Sequence, residues 1–204
     1  MRKIVLSAWI TLDGCIAGPD DKMEWLRGDA QMMAYEQSFV DAADTLLFGR
    51  KTFNDFSNYW PPLANGAEPG ANPLPMPVEQ LRQYARTIDP MKKIVVSASG
   101  KVEPWRNVCV LSTIDPIQID DLKREPGKNI AMYGSLSVLR ALAEHGQIDE
   151  YELLVHPTFA GKGKPLFNAP FDTLELKSAH PFRSGVMLMK YSATKGTADE
   201  KHAM

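Results

Sequence analysis

The chain has 204 residues, of which 44% are hydrophobic and 24% are charged, and its formal net charge is −2 at pH 7. Such a length and composition are typical of one globular domain with a sizeable core. The small acidic charge provides no bulk attraction to nucleic acid or to an anionic membrane, so an anion site would have to be local. The two cysteines are too few for a disulfide framework. We find no secretory signal and no apolar run of membrane-spanning length, and we therefore expect a cytoplasmic protein.

The first part of the chain alternates between apolar runs of strand length and segments with helical periodicity. The run KIVLSAWI ends near the turn dipeptide Asp13-Gly14, and a later run, TLLFG, leads into a helix. Thr52 and Asp55 have capping-box spacing, which predicts that this helix begins at Thr52. In chain order the pattern predicts a strand over 3–10, a helix over 30–43, a strand over 45–49 and a helix from 52 to about 58.

Residues 61–77 are rich in proline and have no periodicity, which predicts an irregular loop. We favour a loop within one domain over an interdomain linker, because the preceding residues supply only two strands and cannot close a core alone. Loops of this length are uncommon in compact domains and often lie over a functional site.

The alternation continues to the end of the chain, where two apolar runs follow each other. In order, we predict a helix over 78–87, strands over 92–97 and 107–111, a helix over 116–124, a strand over 129–133, a helix over 135–145, a strand over 150–156, and strands over 173–179 and 185–193. A turn at His180-Pro181 should make the last two strands antiparallel. The pattern predicts a three-layer α/β/α fold with a mostly parallel central sheet and antiparallel C-terminal strands. We expect one domain over 1–194 and a polar tail over 195–204.

Two strand-to-helix junctions carry residues that suit an anion site. In LLFGRKTF the strand ends at Gly49 before two cations and a hydroxyl, and in IAMYGSLSVL it ends at Gly134 before Ser135 opens a helix. Ligands of open α/β sheets bind beyond the carboxyl ends of the strands, where helix N-termini present free N–H groups. A third such end, SAS at 97–99, favours one shared anion. The simpler interpretation stays open, in which the glycines only shape turns and Thr52 only caps a helix, since neither segment is a Walker loop or a GxGxxG fingerprint.

The segments SxxxxLDGCIAG, FGRKTF, IVVSAS and YGSLSVL, in this order, resemble the dihydrofolate reductase-like superfamily. The run GQIDEYELLVHPTFAGKGKPLF is more specifically similar to the C-terminal reductase domain of bifunctional riboflavin-biosynthesis deaminase/reductases and its stand-alone relatives. The resemblance extends from residue 3 to about residue 193. It implies the cofactor NADPH, a small heterocyclic substrate and a homodimer.

The resemblance also implies which residues meet the phosphates of NADPH. Arg50 and Thr52 would contact them, while Gly49 shapes the turn and Lys51 lies nearby. Ser97 and Ser99 would lie beside the 2′-phosphate that distinguishes NADPH from NADH. Relatives often have a serine where this chain has Ala98, and the loss of that hydroxyl weakens the preference for NADPH.

The remaining cofactor positions implied by the resemblance lie at the second junction and near the N-terminus. Gly134, Ser135 and Leu136 would approach the pyrophosphate. Relatives often have a second glycine in place of Ser135, but its backbone N–H is retained. Ala8 and Ile16 would line the nicotinamide pocket.

The resemblance leaves the proton donor open. Dihydrofolate reductases place a carboxylate at the start of a helix that follows a tryptophan, and alignment on Trp25 puts Ala30 at that position. Asp29, one residue earlier, is the candidate catalytic residue, although an aspartate just before a helix is usually its N-cap. Glu24 and Glu36 have no better claim from the sequence. Because NADPH carries the hydride, a missing acid does not exclude a reductase, but it argues against dihydrofolate as substrate.

Two further positions near the expected cleft are ambiguous in the sequence. His156 ends a strand and is either a substrate contact or a structural histidine. Trp60, just before the proline-rich segment, either stacks on a flat ring or packs in the core.

The function predicted from the resemblance is an NADPH-dependent reductase of a flat pyrimidine- or pterin-like heterocycle, similar to 5-amino-6-(5-phosphoribosylamino)uracil reductase. The alternative is an NADPH-binding protein without efficient catalysis, such as a redox or metabolite sensor. In either case we expect a small-molecule ligand and neither a nucleic-acid nor a membrane partner.

Overall fold

A computed structural model describes residues 1–70, 77–167 and 173–194. Within these ranges the strands are β1 (Ile4–Thr11), β2 (Cys15–Ala17), β3 (Ala43–Gly49), β4 (Lys92–Val96), β5 (Val108–Leu111), β6 (Asn129–Tyr133), β7 (Glu150–His156), β8 (Lys164–Pro165), β9 (Leu174–Pro181) and β10 (Met187–Ala193). The helices are α1 (Ala30–Asp41), α2 (Arg50–Ala64), α3 (Val78–Ile88), α4 (Pro116–Arg124) and α5 (Leu136–Glu144).

The central sheet has the strand order β5-β4-β3-β6-β1-β7-β10-β9. From β5 to β7, each pair of adjacent strands is parallel. β10 runs antiparallel to both β7 and β9. The predicted mostly parallel sheet with antiparallel C-terminal strands is therefore confirmed.

Helices pack on both faces of the sheet and form the two outer layers. Apolar side chains fill the space between each layer of helices and the sheet. On one face, Phe48 of β3 lies in a cluster with residues of α1, α2 and α3. On the other face, Leu47 of the same strand lies in a cluster with residues of α4 and α5. A strand buried on both faces needs a continuous apolar run, which explains the sequence TLLF. Each such buried side chain contributes about 1.5–3 kcal/mol to stability.

Helix α2 differs from its predicted bounds at both ends. It begins at Arg50 with Gly49 as N-cap, so the predicted start at Thr52 with a Thr52 cap is wrong. It also continues through Pro61 and Pro62 to Ala64, so the first residues of the predicted loop are helical. Although proline disfavours a helix interior, these two lie in the last turns, and the extension buries Leu63 to 2% exposure. Residues 71–76 of the predicted loop lie outside the described residues.

Smaller differences concern turns and short strands. β9 includes His180 and Pro181, so the predicted turn there is wrong; the chain reverses after β9, where Phe182 N–H donates to Val186 O at 2.9 Å. The short strands β2 and β8 pair with each other and were not predicted, because so few residues show no periodicity. The predicted polar tail over 195–204 lies outside the described residues.

No helix in the described parts of the chain combines the length and hydropathy needed to cross a membrane.

Candidate functional site

The three strand ends singled out in the sequence lie side by side in the sheet. β3 has β4 on one side and β6 on the other, and all three strands run parallel. Their carboxyl ends are Val96, Gly49 and Tyr133. The segments that follow, which include SAS at 97–99, therefore leave the sheet at one edge.

The first two junctions approach each other so closely that glycine is required. A Cβ placed on Gly49 would lie 2.7 Å from Ser135 Cβ and 3.2 Å from Val138 Cγ2. Gly134 has a φ of +51°, in the left-handed region, and a Cβ there would lie 3.0 Å from Thr52 Oγ1. The two glycines thus let the chain segments meet without intervening side chains.

Helices α2 and α5 both begin at this contact. The N-cap residues are Gly49 for α2 and Ser135 for α5, and neither makes a side-chain capping hydrogen bond. The first backbone N–H groups of each helix are thus not capped by the N-cap side chain, and they coincide with the positive end of the helix dipole. This arrangement suits a phosphate group.

Arg50 connects the first junction to the third. Its Nη1 donates to Ser99 Oγ at 3.3 Å, and Ser99 Oγ lies 3.3 Å from Ser97 Oγ. Arg50 and Ser99 are exposed, whereas Ser97 is buried. Lys51 points elsewhere, because its Nζ lies 3.3 Å from Asp21 Oδ2. The arrangement combines a guanidinium and two hydroxyls, which suits an exposed phosphate group.

The positions predicted for the nicotinamide pocket lie on the face covered by α5. Ala8 is 5% exposed in β1 and belongs to the same apolar cluster as Val138 of α5. Ile16 and Leu136 are partly buried and pack against that cluster. Since β1 is next to β6 in the sheet, these side chains adjoin the Gly134 junction.

The loop between β1 and β2 is tied to the segment before β8. Asp13 accepts hydrogen bonds from the N–H groups of Ala160 and Gly161 at 3.1 and 2.8 Å. Gly14 occupies the turn with a φ of +77°. The basic segment at 161–164 is thus held beside the predicted nicotinamide side of the edge.

Together these residues fit a dinucleotide with an additional phosphate. At the Gly49 and Gly134 junctions a Cβ would strike Ser135 or Thr52, so the N-termini of α2 and α5 meet closely there, beside Arg50; we call this meeting place the cradle. The structure brings the predicted phosphate-binding residues together, with Lys51 as the exception. Their roles in NADPH binding stay predictions.

Asp29 has the contacts of a helix cap. Its side chain accepts from Met32 N–H at 2.8 Å, at the N-terminus of α1, and from Ser184 N–H at 2.7 Å. Burial raises the pKa of Asp29, but these two backbone donors outweigh it, and the net pKa lies below the usual value. An ionised, hydrogen-bonded carboxylate is a poor proton donor at neutral pH. A catalytic role for Asp29 stays a prediction that its contacts do not favour.

Replacing Asp29 with alanine should lower the free energy of unfolding by about 1 kcal/mol, because the N-cap bond to Met32 is lost. Asp29→Asn should retain most of the stability, since asparagine caps helices as well as aspartate does. Urea unfolding of the two variants and the wild type measures the difference. Equal losses for both variants would show that the charge, and not the cap, is what matters at this position.

Glu36, for which the sequence supported no better claim than for Asp29, is a buried carboxyl of α1. It is only 4% exposed, on the inner face of α1, and its Oε1 accepts from Trp9 Nε1 at 2.8 Å. Tyr133 OH donates to its other oxygen at 3.3 Å. Burial raises the pKa of Glu36 to about 7. The sequence signal that could have identified Glu36 as buried is its position on the apolar face of α1, between Met32 and Phe39.

Of the two ambiguous aromatic positions, His156 is an interior residue and Trp60 is partly buried against the core. His156 is 0% exposed, accepts from Arg27 N–H at 3.2 Å through Nδ1, and lies in edge contact with the Trp25 ring. Burial, together with Arg27, lowers the pKa of His156 to about 4. Trp60 packs on Tyr84 with ring centroids 4.7 Å apart. Both residues therefore have structural roles in this conformation.

The fold described above is that of the dihydrofolate reductase-like superfamily. Residues 2–188 match the family model of the RibD C-terminal domain. Because this match covers most of the sequence, the chain belongs to the RibD C-terminal domain family, and the resemblance inferred from the sequence is confirmed.

Individual relatives agree with this assignment. The chain is 29% identical to the uncharacterized protein YyaP of Bacillus subtilis (strain 168) over 192 residues, which cover 93% of this chain and 94% of YyaP. A structure described as a putative riboflavin biosynthesis protein from Shewanella sp. PV-4 superposes with a TM-score of 0.68 at 16% identity, covering 95% of this chain and all of the other. The diaminohydroxyphosphoribosylaminopyrimidine deaminase/5-amino-6-(5-phosphoribosylamino)uracil reductase of Thermotoga maritima superposes with a TM-score of 0.62 at 16% identity, covering 95% and 57%. At these identities the two structures show a shared fold.

Proposed function

We propose that this protein is an NADPH-dependent reductase of a flat pyrimidine- or pterin-like heterocycle. The observation that carries the proposal is the meeting of three strand ends at one edge, where Gly49, Gly134 and Arg50 are arranged for phosphate groups. Membership of the RibD C-terminal domain family supports it, because reductases of this family use NADPH. A cytoplasmic location and a homodimer remain part of the proposal.

The residues of this chain would bind and orient the cofactor. The uncapped N-termini of α2 and α5 would hold the pyrophosphate, and Arg50 with Ser99 would hold the 2′-phosphate. Ala8 and Ile16 would provide an apolar wall that keeps water from one side of the nicotinamide. NADPH, when bound, supplies a hydride, so the chain has to supply orientation and a proton.

The test of the proposal is NADPH oxidation, followed by absorbance at 340 nm, with a panel of pterins, ribityl-aminopyrimidines and simple quinones. Turnover with a heterocycle is the expected result. Tight NADPH binding with no turnover of any compound would contradict the reductase proposal and leave a binding protein.

Arg50→Ala should weaken NADPH binding by about 10- to 100-fold, because a charge-assisted contact contributes about 1.5–3 kcal/mol. NADH binding should change little if the Arg50–Ser99 pair holds the 2′-phosphate. Fluorescence titration of both nucleotides measures the two dissociation constants. Arg124→Ala is the matched control, since Arg124 is an exposed arginine whose ion pair is with Asp121 of its own helix.

The outcomes of this titration separate three interpretations of Arg50. An equal loss of affinity for NADPH and NADH would indicate that Arg50 contacts the pyrophosphate, which both nucleotides have. No loss for either nucleotide would leave Arg50 as a surface residue of a turn and contradict its proposed role.

The contacts of Asp29 favour a second candidate function, an NADPH-binding protein without efficient catalysis. The carboxylate expected to act as acid accepts hydrogen bonds from two backbone N–H groups. If no other group supplied the proton, the protein would bind NADPH and report its level. The panel above distinguishes this candidate from a reductase.

A further inference from the structure

One carboxylate, that of Asp21, ties the start of α2 to the short strand β8. Its Oδ2 lies 3.3 Å from Lys51 Nζ, and its Oδ1 pairs with Lys164 Nζ. Lys51 is the second residue of α2, and Lys164 belongs to β8. In the described parts of the chain neither lysine has another ion pair. We call these three side chains the ionic bridge.

The ionic bridge connects the same two places that the proposed cofactor has to connect. Lys51 lies in the first turn of α2, whose N-terminus is one half of the cradle. Lys164 is opposite Ala17 in the pairing of β2 with β8, one residue from Ile16 of the predicted nicotinamide wall. A dinucleotide with its pyrophosphate in the cradle and its nicotinamide against that wall therefore has to run alongside the bridge.

All three side chains of the ionic bridge are accessible to a ligand. The exposed fraction of the side chain is 41% for Asp21, 76% for Lys51 and 46% for Lys164. Exposed ion pairs are weak, because each charge keeps much of its hydration. A phosphate can therefore take the place of the carboxylate beside Lys51 without any change in the core.

The first turn of α2 explains why a carboxylate is bound here. Negative charges stabilise helix N-termini, but α2 has no acidic residue in its first turn. It carries two cations there instead, Arg50 and Lys51. Asp21 supplies a negative charge from another segment. A phosphate in the cradle would supply the same charge, so the phosphate and the Asp21 carboxylate are alternative partners for Lys51.

Asp21 belongs to a tight turn that follows β2. Gly18 N–H donates to Lys22 O at 2.8 Å, and Asp21 N–H donates to Gly18 O at 3.2 Å. The φ of Asp21 is +65°, in the left-handed region, which aspartate adopts more readily than most other residues with a side chain. The turn thus directs Asp21 toward the two lysines, whereas the adjacent Asp20 pairs with Lys22 of the same turn.

We propose that Asp21 is an internal competitor of the cofactor phosphates, which holds Lys51 until NADPH displaces it. This inference rests on the proposed function, whose cofactor site it would regulate. It accounts for Lys51 as the one predicted phosphate-binding residue that points elsewhere. As a phosphate enters the cradle, Lys51 turns from Asp21 to the phosphate, and the turn over 18–22 is released from α2.

Hydrogen exchange tests the ionic bridge without any nucleotide. Asp21→Asn removes the charge and keeps the shape of the side chain, so the amides over 18–22 should exchange at least about 2-fold faster than in the wild type. Asp20→Asn is the matched control, because it removes the same charge one residue away, and it should exchange like the wild type. If Asp21→Asn also exchanged like the wild type, the bridge would hold nothing and the proposal would be wrong.

Fluorescence titration with NADPH at low ionic strength measures the competition itself. Asp21→Asn should bind NADPH about 2- to 5-fold more tightly than the wild type, in line with the weakness of one exposed ion pair, and Asp20→Asn should bind like the wild type. The gain should disappear at 1 M salt, where the screening length is about 3 Å. In a Lys51→Ala background Asp21→Asn should gain less, because no lysine is left to release.

The results distinguish the two proposals. A wild type that binds no NADPH overturns the proposed function and this inference with it. A wild type that binds NADPH as tightly as Asp21→Asn does, or more tightly, overturns only the competition. An equal gain in the Lys51→Ala background would also overturn it, because Asp21 would then act on the phosphate directly. An equal gain for Asp20→Asn would overturn it as well, since any carboxylate of the turn would have the same effect.

Discussion

Replacing Gly49 with alanine should abolish measurable NADPH binding and destabilise the protein by about 1–3 kcal/mol, the range expected for overpacking a close contact. The backbone of Gly49 has a φ of −87°, which alanine adopts freely, so the effect would be steric. The added methyl group would collide with Ser135 at the N-terminus of α5 and separate the two helix starts. Urea unfolding and NADPH titration measure the two losses.

Two further variants show whether the collision is the cause. Gly70→Ala is the matched control, because a Cβ at Gly70 meets no atom of the described residues within 4 Å, and both properties should be unchanged. Ser135→Gly, added to Gly49→Ala, removes the atoms struck and should restore part of the stability. If Gly49→Ala behaved like Gly70→Ala, the junctions would be loose, and the cradle would not be rigid enough to select a phosphate.

The sequence predicted the sheet and the candidate ligand edge because each depends on local signals. A buried parallel strand needs an unbroken apolar run, and a glycine must follow where two chain segments approach. The sequence TLLFG therefore predicted both a buried strand and the turn at its end. Which strands are neighbours was not encoded in any one segment, and the contact between Gly49 and Ser135 became visible only when β3 and β6 were placed side by side.

The parts of the fold and site that the sequence missed depend on tertiary packing. Helix α2 continues through two prolines, and this extension buries Leu63 beyond them. Local helix propensity does not include the stability that this burial provides. The sequence supported no better claim for Glu36 than for Asp29, and a glutamate in a helix is usually solvated. Its importance comes from Trp9 and Tyr133, which approach it from distant parts of the chain. Asp29, in contrast, was correctly recognised as a possible N-cap because capping is a local feature.

Glu36→Gln should change how stability depends on pH. In the folded protein Glu36 has a pKa of about 7, above its ordinary value of 4.5, so between these values the folded state holds a proton that the unfolded state has lost. The free energy of unfolding should therefore fall as the pH rises from 4.5 to 7, by on the order of 3 kcal/mol from this group, and level off above pH 7. Glutamine has no such ionisation, and the variant should gain relative to the wild type over that range.

His156 acts in the opposite direction and would partly conceal this effect in the wild type. Its folded pKa of about 4 lies below the ordinary 6.5, so between these values the unfolded state takes up a proton and stability rises with pH. The wild type should be nearly flat between pH 4.5 and 6.5, where the two contributions oppose each other, and should lose stability toward pH 7. Glu36→Gln should instead show only the rise due to His156. Urea unfolding at pH 5, 6, 7 and 8 tests this, with Asp41→Asn, at an exposed carboxylate on the same helix, as control. Parallel curves for Glu36→Gln and the wild type would mean that Glu36 ionises as easily in the folded protein as in the unfolded chain, and would contradict the raised pKa of Glu36.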